Sequence, residues 1–516
     1  MTATLSAATR ARDLVDLAEG PAIDVLVIGG GITGVGVALD AAARGLSVVL
    51  VERRDLAFGT SRWSSKLVHG GLRYLASGQL GVAYESARER HALMTAIAPH
   101  LVRPLAFVVP LNADLDRVGG ALARAGLVVG EGLRAAARTP TSVLPRFRRI
   151  SDREARALVP RLGPTRGALV HWDGQLIDDA RLVIAVARTA AAHGARILTR
   201  TLAVSVDSRG ADLRDEMTGE SLRIGARQVV VATGVFAGEL VETVKLRPSR
   251  GTHLVVRASA LGDPQGALNV IVPGTNNRWV FALPQPDPYL AGADTVLVGL
   301  TDDPIDGLPT EIPEAGPNDE TFLLRVLSAA LDREVRPDDV VGRFSGLRPL
   351  VAGGSSATAD LSRRHALVRD PGTDALALVG GKLTTYRAMA EQAVDAVVAR
   401  LGRGGPSRTR HIPLVGAAPR ARLATIRAPE RLVRRYGVEA EELVRLADGR
   451  PELLSPVAPG LAVLGVEFVF GVRHEGAMLV EDLLERRTRL GLVRSAAESA
   501  RDAAAEALAE LSTTPA

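Results

Sequence analysis

Short runs with no polar face alternate along this chain with longer stretches of small residues at helical spacing. The run IDVLVI at 23–28 is apolar and β-branched, which predicts a buried strand. GGGITGVG at 29–36 opens an Ala-rich helical stretch to Arg44, and Gly45 is a helix stop. SVVLV at 47–51 reads as a second buried strand ending at Glu52, completing one βαβ unit. Further on, helices are expected over 79–98, 179–193 and 319–332, and short strands over 196–206 and 222–232, the latter ending in VVVATG. Between about 250 and 300, THLVV, NVIV, RWVFALP and TVLVGL predict an antiparallel sheet. LALVG at 376–380 reads as a strand, and GKLTTYRAMAEQAVDAVVARL begins a long helix. Residues 402–409 (GRGGPSRT) suit a linker, and 420–516 are mostly helical in pattern. Residues 111–150 combine Arg, Ala and Gly with weak helical periodicity, and no fixed-period repeat occurs.

Composition narrows the class. With 516 residues, 47% of them hydrophobic and 23% charged, the chain suits two to four globular domains. It has no cysteine, which excludes disulfides, Cys-ligated zinc, iron–sulfur clusters, a cysteine nucleophile and cysteinyl cofactor attachment. No metal site is expected. The absence of cysteine is compatible with a cytosolic protein; no apolar run reaches about 18 residues, so no transmembrane helix is expected, and the N-terminus lacks the pattern of a signal peptide. Net charge is +5, and of 63 basic residues only Lys66, Lys245 and Lys382 are lysine. In a chain that uses arginine for generic positive charge, a retained lysine marks a place where a compact ammonium is wanted.

Gly29, Gly31 and Gly34 form G-x-G-x-x-G between strand and helix. The first glycine permits the tight turn, the second lets a pyrophosphate approach the backbone, and the third lets helix and strand pack closely. Phosphates then meet free N–H groups at the helix N-terminus. Glu52, at the end of the next strand, is placed to accept from ribose hydroxyls and to repel a 2′-phosphate. The motif does not separate NAD from FAD. Its place at the start of a long chain, with the ATG turn at 232–234 arriving some 200 residues later, suits an FAD domain split by insertions.

The segment after Glu52, RDLAFGTSRWSSKLVHGGLRYL at 54–75, closely resembles the FAD-dependent (aerobic, respiratory) glycerol-3-phosphate dehydrogenases. Further similar segments are PSRGTHLVV (248–256), NNRWVFALP (276–284), TVLVGLTDDP (295–304), SGLRPL (345–350), SRRHAL (362–367), VGGKLTTYRAMAE (379–391) and VRHEGAMLVEDLLERRTRLGL (472–492). The resemblance implies an α/β fold: a Rossmann-like FAD-binding domain, an antiparallel or mixed-sheet substrate domain and a helical C-terminal domain. The expected ranges are 20–110 with 165–240 and 340–400 for the first, 241–339 for the second and 405–516 for the third. It also implies oxidation of sn-glycerol 3-phosphate to dihydroxyacetone phosphate, hydride transfer to FAD, and electrons passed to a membrane quinone from the inner face of the cell membrane. A homodimer is left open.

That chemistry needs a phosphate clamp, a proton acceptor and positive charge near the reduced flavin. Arginine suits the clamp, because its planar fork matches phosphate oxygens. Arg348 in SGLRPL, Arg73 and Tyr74 in HGGLRYL, and Arg363 in SRRH match substrate-contacting positions of the family. Many relatives carry an acid and an aromatic where this chain has Arg364 and His365. His253 in RGTHLVV matches a family active-site histidine, and an imidazole near its ordinary value accepts a proton at neutral pH. His69 reads as structural or flavin-contacting. Lys382, following Gly380 and Gly381 and leading into Leu383 and Thr384, is placed at a helix N-terminus to stabilise reduced flavin or touch substrate oxygen. Ser61, Ser64, Ser65 and Lys66 are expected on the FAD phosphates and ring, as is Gly234. Lys245 matches no motif and reads as surface.

Three rival readings remain at this level: a glycerol-3-phosphate oxidase using oxygen, another FAD-dependent hydroxy- or amino-acid oxidoreductase, and a non-catalytic FAD-bound regulator. With 3% aromatics and no binding motif, nucleic acid is not expected as a partner. For membrane contact the expected segment is 101–150, with eight arginines (103, 117, 124, 134, 138, 146, 148, 149) against three acids, and Leu122, Leu127, Val128, Val129 and Leu133 between them.

Overall fold

The computed structural model describes residues 3–71, 79–111, 117–275, 278–285, 289–290, 294–305, 307, 309–350 and 365–512, with the backbone alone at 117–119, 122 and 511–512. Arg73, Tyr74, Arg363 and Arg364 lie outside the described residues.

Two sheets organise the molecule. In the first, strands run in the order Ala366–Arg369, Leu376–Val379, Ser221–Val231, Ile23–Ile28, Val48–Val51 and Arg196–Leu198. Along this path all but the edge strand Ala366–Arg369 are parallel, and Gly210–Asp215 and Thr201–Asp207 extend Ser221–Val231 as an antiparallel branch. Ile23–Ile28 and Val48–Val51 are buried throughout, as their lack of a polar face requires. Helices Ile32–Ala43, Asp179–Ala192 and Tyr386–Leu401 pack on this sheet through Val35, Leu39, Val183, Val186, Met389 and Val394.

The second sheet runs Asp303–Pro304, Ser249–Arg257, Thr295–Gly299, Trp279–Pro284, Ala267–Ile271, Val102–Pro110, Ala168–Leu176 and Leu67–Val68, with Val340–Arg348 on the free side of Ser249–Arg257. It is antiparallel except where Ala267–Ile271 joins Val102–Pro110. One face packs on helix Asp319–Ala329. The other carries the C-terminal helix Arg494–Ser512, which presents Ala496, Ala500, Ala504 and Ala507 at helical spacing.

This is the α/β architecture with a mixed second sheet and helical C-terminal region that the sequence predicts. The strand content differs from the expected ranges. Val102–Pro110, Ala168–Leu176 and Val340–Arg348 fall within the ranges expected for the cofactor domain, yet all three pair in the second sheet. Alternation of polar and apolar residues identifies a strand, but its partner depends on contacts distant in sequence. Residues 111–150, despite glycines at 119, 120, 126, 130 and 132, contain a 20-residue helix, Arg117–Ala136. No described helix is long and apolar enough to cross a membrane.

Candidate active site

The site begins at the turn after Ile28. Gly29 has φ +113°, and a Cβ there would meet the carbonyl oxygen of Ala232 at 2.6 Å. A Cβ on Gly34 would lie 1.9 Å from the carbonyl oxygen of Gly29, so helix and strand close together only because both are glycine. The turn carrying Gly234 (φ +61°) follows Ala232 directly. Helix Ile32–Ala43 has no side-chain cap at Gly31. Instead Ile32 N donates to Ser61 Oγ at 2.9 Å. The Glu52 carboxylate accepts from Gly30 N at 2.7 Å and Arg54 N at 2.8 Å. Burial outweighs these two bonds and raises its pKa. Close-packed glycines, a helix N-terminus and a terminal acid fit the diphosphate and ribose of a dinucleotide.

Residues 55–66 form a strap from this turn to the second sheet. Thr60 Oγ1 donates to the carbonyl of Leu347 at 2.7 Å. Trp63 stacks on Phe344, and Phe344 on His253, with centroids 5.4 and 4.9 Å apart. Ser65 Oγ lies 2.8 Å from His253 Nε2. Ser64 donates from its N–H and hydroxyl to Asp179. The strap thus carries Ser61 at the dinucleotide turn and Ser65 at the sheet.

On strand Ser249–Arg257, residues 249, 251 and 253 share one face. Gly251 leaves the space that Arg348 fills: a Cβ there would lie 2.0 Å from Arg348 Nη2. Arg348 donates from Nη1 to Ser249 Oγ (3.0 Å) and Asp302 Oδ1 (2.9 Å), and from Nη2 to the carbonyl of Thr301 (3.1 Å). The guanidinium is therefore fixed beside His253. Burial, then the charges of Arg348 and Lys66, pushes the imidazole down to about 3. The sequence-based expectation of an imidazole near its ordinary value does not describe this environment. Its Nδ1 is buried and finds no partner among the described residues.

Lys66 sits in the left-handed region (φ +54°), and its ammonium is fully buried, 2.7 Å from Asp179 and 3.2 Å from Asp178. The whole residue is enclosed, its N–H donating to Ser64 Oγ at 3.0 Å and its carbonyl accepting from Leu176 N at 2.8 Å. Gly380 and Gly381, both at positive φ, lead into the turn Leu383–Thr385, with Leu383 half-buried and Thr384 buried. Lys382 donates to Ser86 Oγ at 2.9 Å on helix Leu80–Ala92. His69 is half-buried, and Lys245 is exposed.

The other flank of the strap is a seam of buried charge. Asp55 accepts from Arg487 Nη1 (2.7 Å) and Nη2 (3.0 Å) and from Arg486 Nε (2.6 Å). Burial raises the Asp55 pKa, and the two arginines overturn this, holding the carboxyl well below its usual range. Arg489 donates to Asp178 at 3.1 Å and lies over the Trp63 ring. Sequence reasoning did not find Asp55, Asp178, Asp179 or Arg486–Arg489. Asp55 and the arginines lie inside the similar segments, but a charge run such as ERRTR reads as solvated until tertiary partners appear, and Asp178 and Asp179 lie outside every such segment.

Of the arginines expected at a membrane surface, Arg134 is buried against Glu131, and Arg103 donates to Gln175 at 3.2 Å from within a strand. Arg124, Arg138, Arg146, Arg148 and Arg149 are exposed. So are Val128 (54%) and Val129 (44%), and Leu80 (58%) on the adjoining helix.

A family model for FAD dependent oxidoreductases matches residues 24–387, and one for the C-terminal domain of alpha-glycerophosphate oxidase matches residues 372–513. The chain is 49% identical to glycerol-3-phosphate dehydrogenase 1 of Mycobacterium tuberculosis, over 95% of this chain and 96% of that one. It is 34% identical to the glycerol-3-phosphate dehydrogenase of Pseudomonas aeruginosa, over 93% and 94%. Among solved structures it is similar to the glycerol-3-phosphate dehydrogenase from Bacillus halodurans complexed with FAD, with TM-score 0.70, 26% identity and coverage of 98% and 97%.

Proposed function

This chain belongs to the FAD-dependent glycerol-3-phosphate dehydrogenase family, and from that premise we propose that it oxidises sn-glycerol 3-phosphate to dihydroxyacetone phosphate and passes the electrons to a membrane quinone. It is an FAD enzyme, and FAD when bound supplies the hydride acceptor. The observation that carries the substrate reading is the face shared by Arg348 and His253, tied by one strap to the glycine turn. Gly29, Gly31, Gly34, Ser61 and Glu52 hold the dinucleotide. Arg348, fixed by Ser249, Asp302 and Thr301, offers a preorganised guanidinium to the phosphate or hydroxyl oxygens. Arg73, Tyr74 and Arg363 complete the substrate contacts. Lys382, at the turn Leu383–Thr385, stabilises negative charge that develops on reduction.

Anaerobic glycerol 3-phosphate is expected to bleach the flavin absorbance, with glycerol, lactate and amino acids inert. Bleaching by an amino acid and not by glycerol 3-phosphate would move the chain to another branch of the superfamily. Reduction of a quinone analogue without peroxide formation separates the dehydrogenase from an oxidase. For the membrane, helix Arg117–Ala136 and the loop after it are the docking surface, with exposed Val128 and Val129 among basic residues. Changing Arg138, Arg146, Arg148 and Arg149 to Gln is expected to reduce co-sedimentation with anionic liposomes at low salt.

A further inference from the structure

His253 is the histidine that faces the site, yet its ring is almost wholly enclosed. It is 2% exposed, it stacks on Phe344, and a Cβ on Gly299 would strike it at 2.4 Å. Nδ1 is sealed from any ligand, and Nε2 is taken by Ser65 Oγ at 2.8 Å. The outward-facing member of the pair is therefore the half-buried Ser65. We propose that Ser65, through Oγ, is the group that meets the secondary hydroxyl of the substrate, and that His253 acts through it as a positioning residue. This rests on the reading of glycerol 3-phosphate as substrate.

The tautomer follows from the surroundings. Arg348 and Lys66 oppose a charged ring, so one nitrogen carries hydrogen and the other a lone pair. A buried N–H without a partner costs more than a buried lone pair without one, so hydrogen is assigned to Nε2, which donates to Ser65 Oγ. The hydroxyl then keeps one lone pair and its own proton. A secondary alcohol about to lose the hydride from its carbinol carbon can donate its O–H to that lone pair. No covalent bond to Ser65 forms or breaks, and the contribution is orientation of the alcohol oxygen.

Ser65 is itself held from two sides. Ser64 is fixed on Asp179 through its N–H (3.0 Å) and hydroxyl (2.8 Å). Lys66, in the left-handed region, is anchored by the bonds of its ammonium to Asp178 and Asp179. The residue between two anchored neighbours has little backbone freedom, which suits a group that must place one oxygen within a fraction of an ångström.

The test uses the FAD-loaded full chain, with anaerobic rapid-mixing measurement of flavin bleaching by glycerol 3-phosphate. Ser65→Ala is expected to lower the saturating rate about ten- to hundredfold, with flavin content and melting temperature retained. Ser65→Thr, which keeps a hydroxyl, is expected to stay within about fivefold of the parent. The double variant Ser65→Ala with His253→Gln is expected to be no slower than Ser65→Ala alone, because the two residues act as one unit. As a readout independent of turnover, the 15N ring resonances of His253 in histidine-labelled apoprotein are expected to shift in Ser65→Ala and not in Ser65→Thr. A Ser65→Ala rate within twofold of the parent, losses that add in the double variant, or an unmoved His253 resonance would each overturn the proposal. Should Ser65→Ala lose flavin or stability, the Ser65→Thr rate decides: a value as low as a hydroxyl-free site predicts sinks the proposal. Parent enzyme unbleached by glycerol 3-phosphate would defeat the substrate reading itself, an outcome distinct from a parent that bleaches normally beside an unaffected Ser65→Ala.

Discussion

The strap of residues 55–66 has two flanks, each built from arginine and carboxylate, and they differ in what surrounds the charge. On the seam, the Arg486, Arg487 and Arg489 side chains are 0–2% exposed and their acids are equally enclosed. At the site, Arg348 and Asp302 are 18% and 15% exposed, and two of the guanidinium's acceptors are neutral oxygens. A fully desolvated charge has a single tolerable arrangement, because losing its partner leaves it stranded in a medium of low dielectric. A charge with some water access can be redirected to an incoming anion at moderate cost. In a chain with so many arginines, residue type alone does not distinguish the structural group from the one that binds. The degree of enclosure does.

The largest effect of a single substitution is expected on the seam. Asp55→Ala leaves Arg487 with only the carbonyl of Glu475 and Arg486 with only Asp482 as hydrogen-bond partners among the described residues, and is expected to cost about 3–5 kcal/mol of stability, read as a large fall in melting temperature. A melt close to that of the parent would mean that water reaches the seam.

Acidification acts on the other flank. The His253 value is depressed to about 3 in the fold against 6.5 in the unfolded chain. As pH falls below 6.5 the unfolded chain takes up a proton that the native ring refuses. The contribution is fully present above pH 6.5 and shrinks steadily toward pH 3, by about 2 kcal/mol at pH 5. Asp55, held low by its arginines, stays charged over that interval. Melting at pH 7 and pH 5 is expected to show a smaller drop in His253→Gln than in the parent.

Arg348→Lys replaces a two-pronged donor with a point charge, and is expected to raise KM for glycerol 3-phosphate at least about tenfold with little change in melting temperature. Equal loss of stability and affinity would place Arg348 with the seam. The smallest expected effect is at Glu52. In Glu52→Gln the side-chain amide opposes one of the two backbone N–H donors, from Gly30 or Arg54, and FAD affinity is expected to fall about fivefold, measured by flavin release on dilution.

What the sequence discloses follows the same division. The glycine turn and its flanking strands are local, so Ile23–Ile28, Val48–Val51 and the helix between them stand where periodicity put them. Helices expected over 179–193 and 319–332 appear as Asp179–Ala192 and Asp319–Ala329. The residues gathered around Arg348 were within reach, since Ser249, Thr301 and Asp302 all lie in segments resembling the family. Their mutual contacts were not, because strand pairing across 99 positions fixes Arg348 against Ser249. The seam was the least visible part. Asp55 and Arg487 are 432 residues apart, and each alone looks like surface. The fate of Lys66 was hidden for the same reason: its two carboxylates arrive from the start of another helix.

The distance from Asp55 to Arg487 has a consequence for how the protein comes into being. During synthesis the glycine turn is made first, and its parallel partner Ser221–Val231 follows well before the arginines of the seam. The strap that links this turn to His253 waits for Arg486, Arg487 and Arg489, and the first two follow Asp55 by 431 and 432 residues. Until then Asp55 has no guanidinium to meet. A nascent chain thus carries the outline of a flavin-binding protein long before its cofactor crevice can close, and the closing event is contributed by a segment made more than 400 residues later.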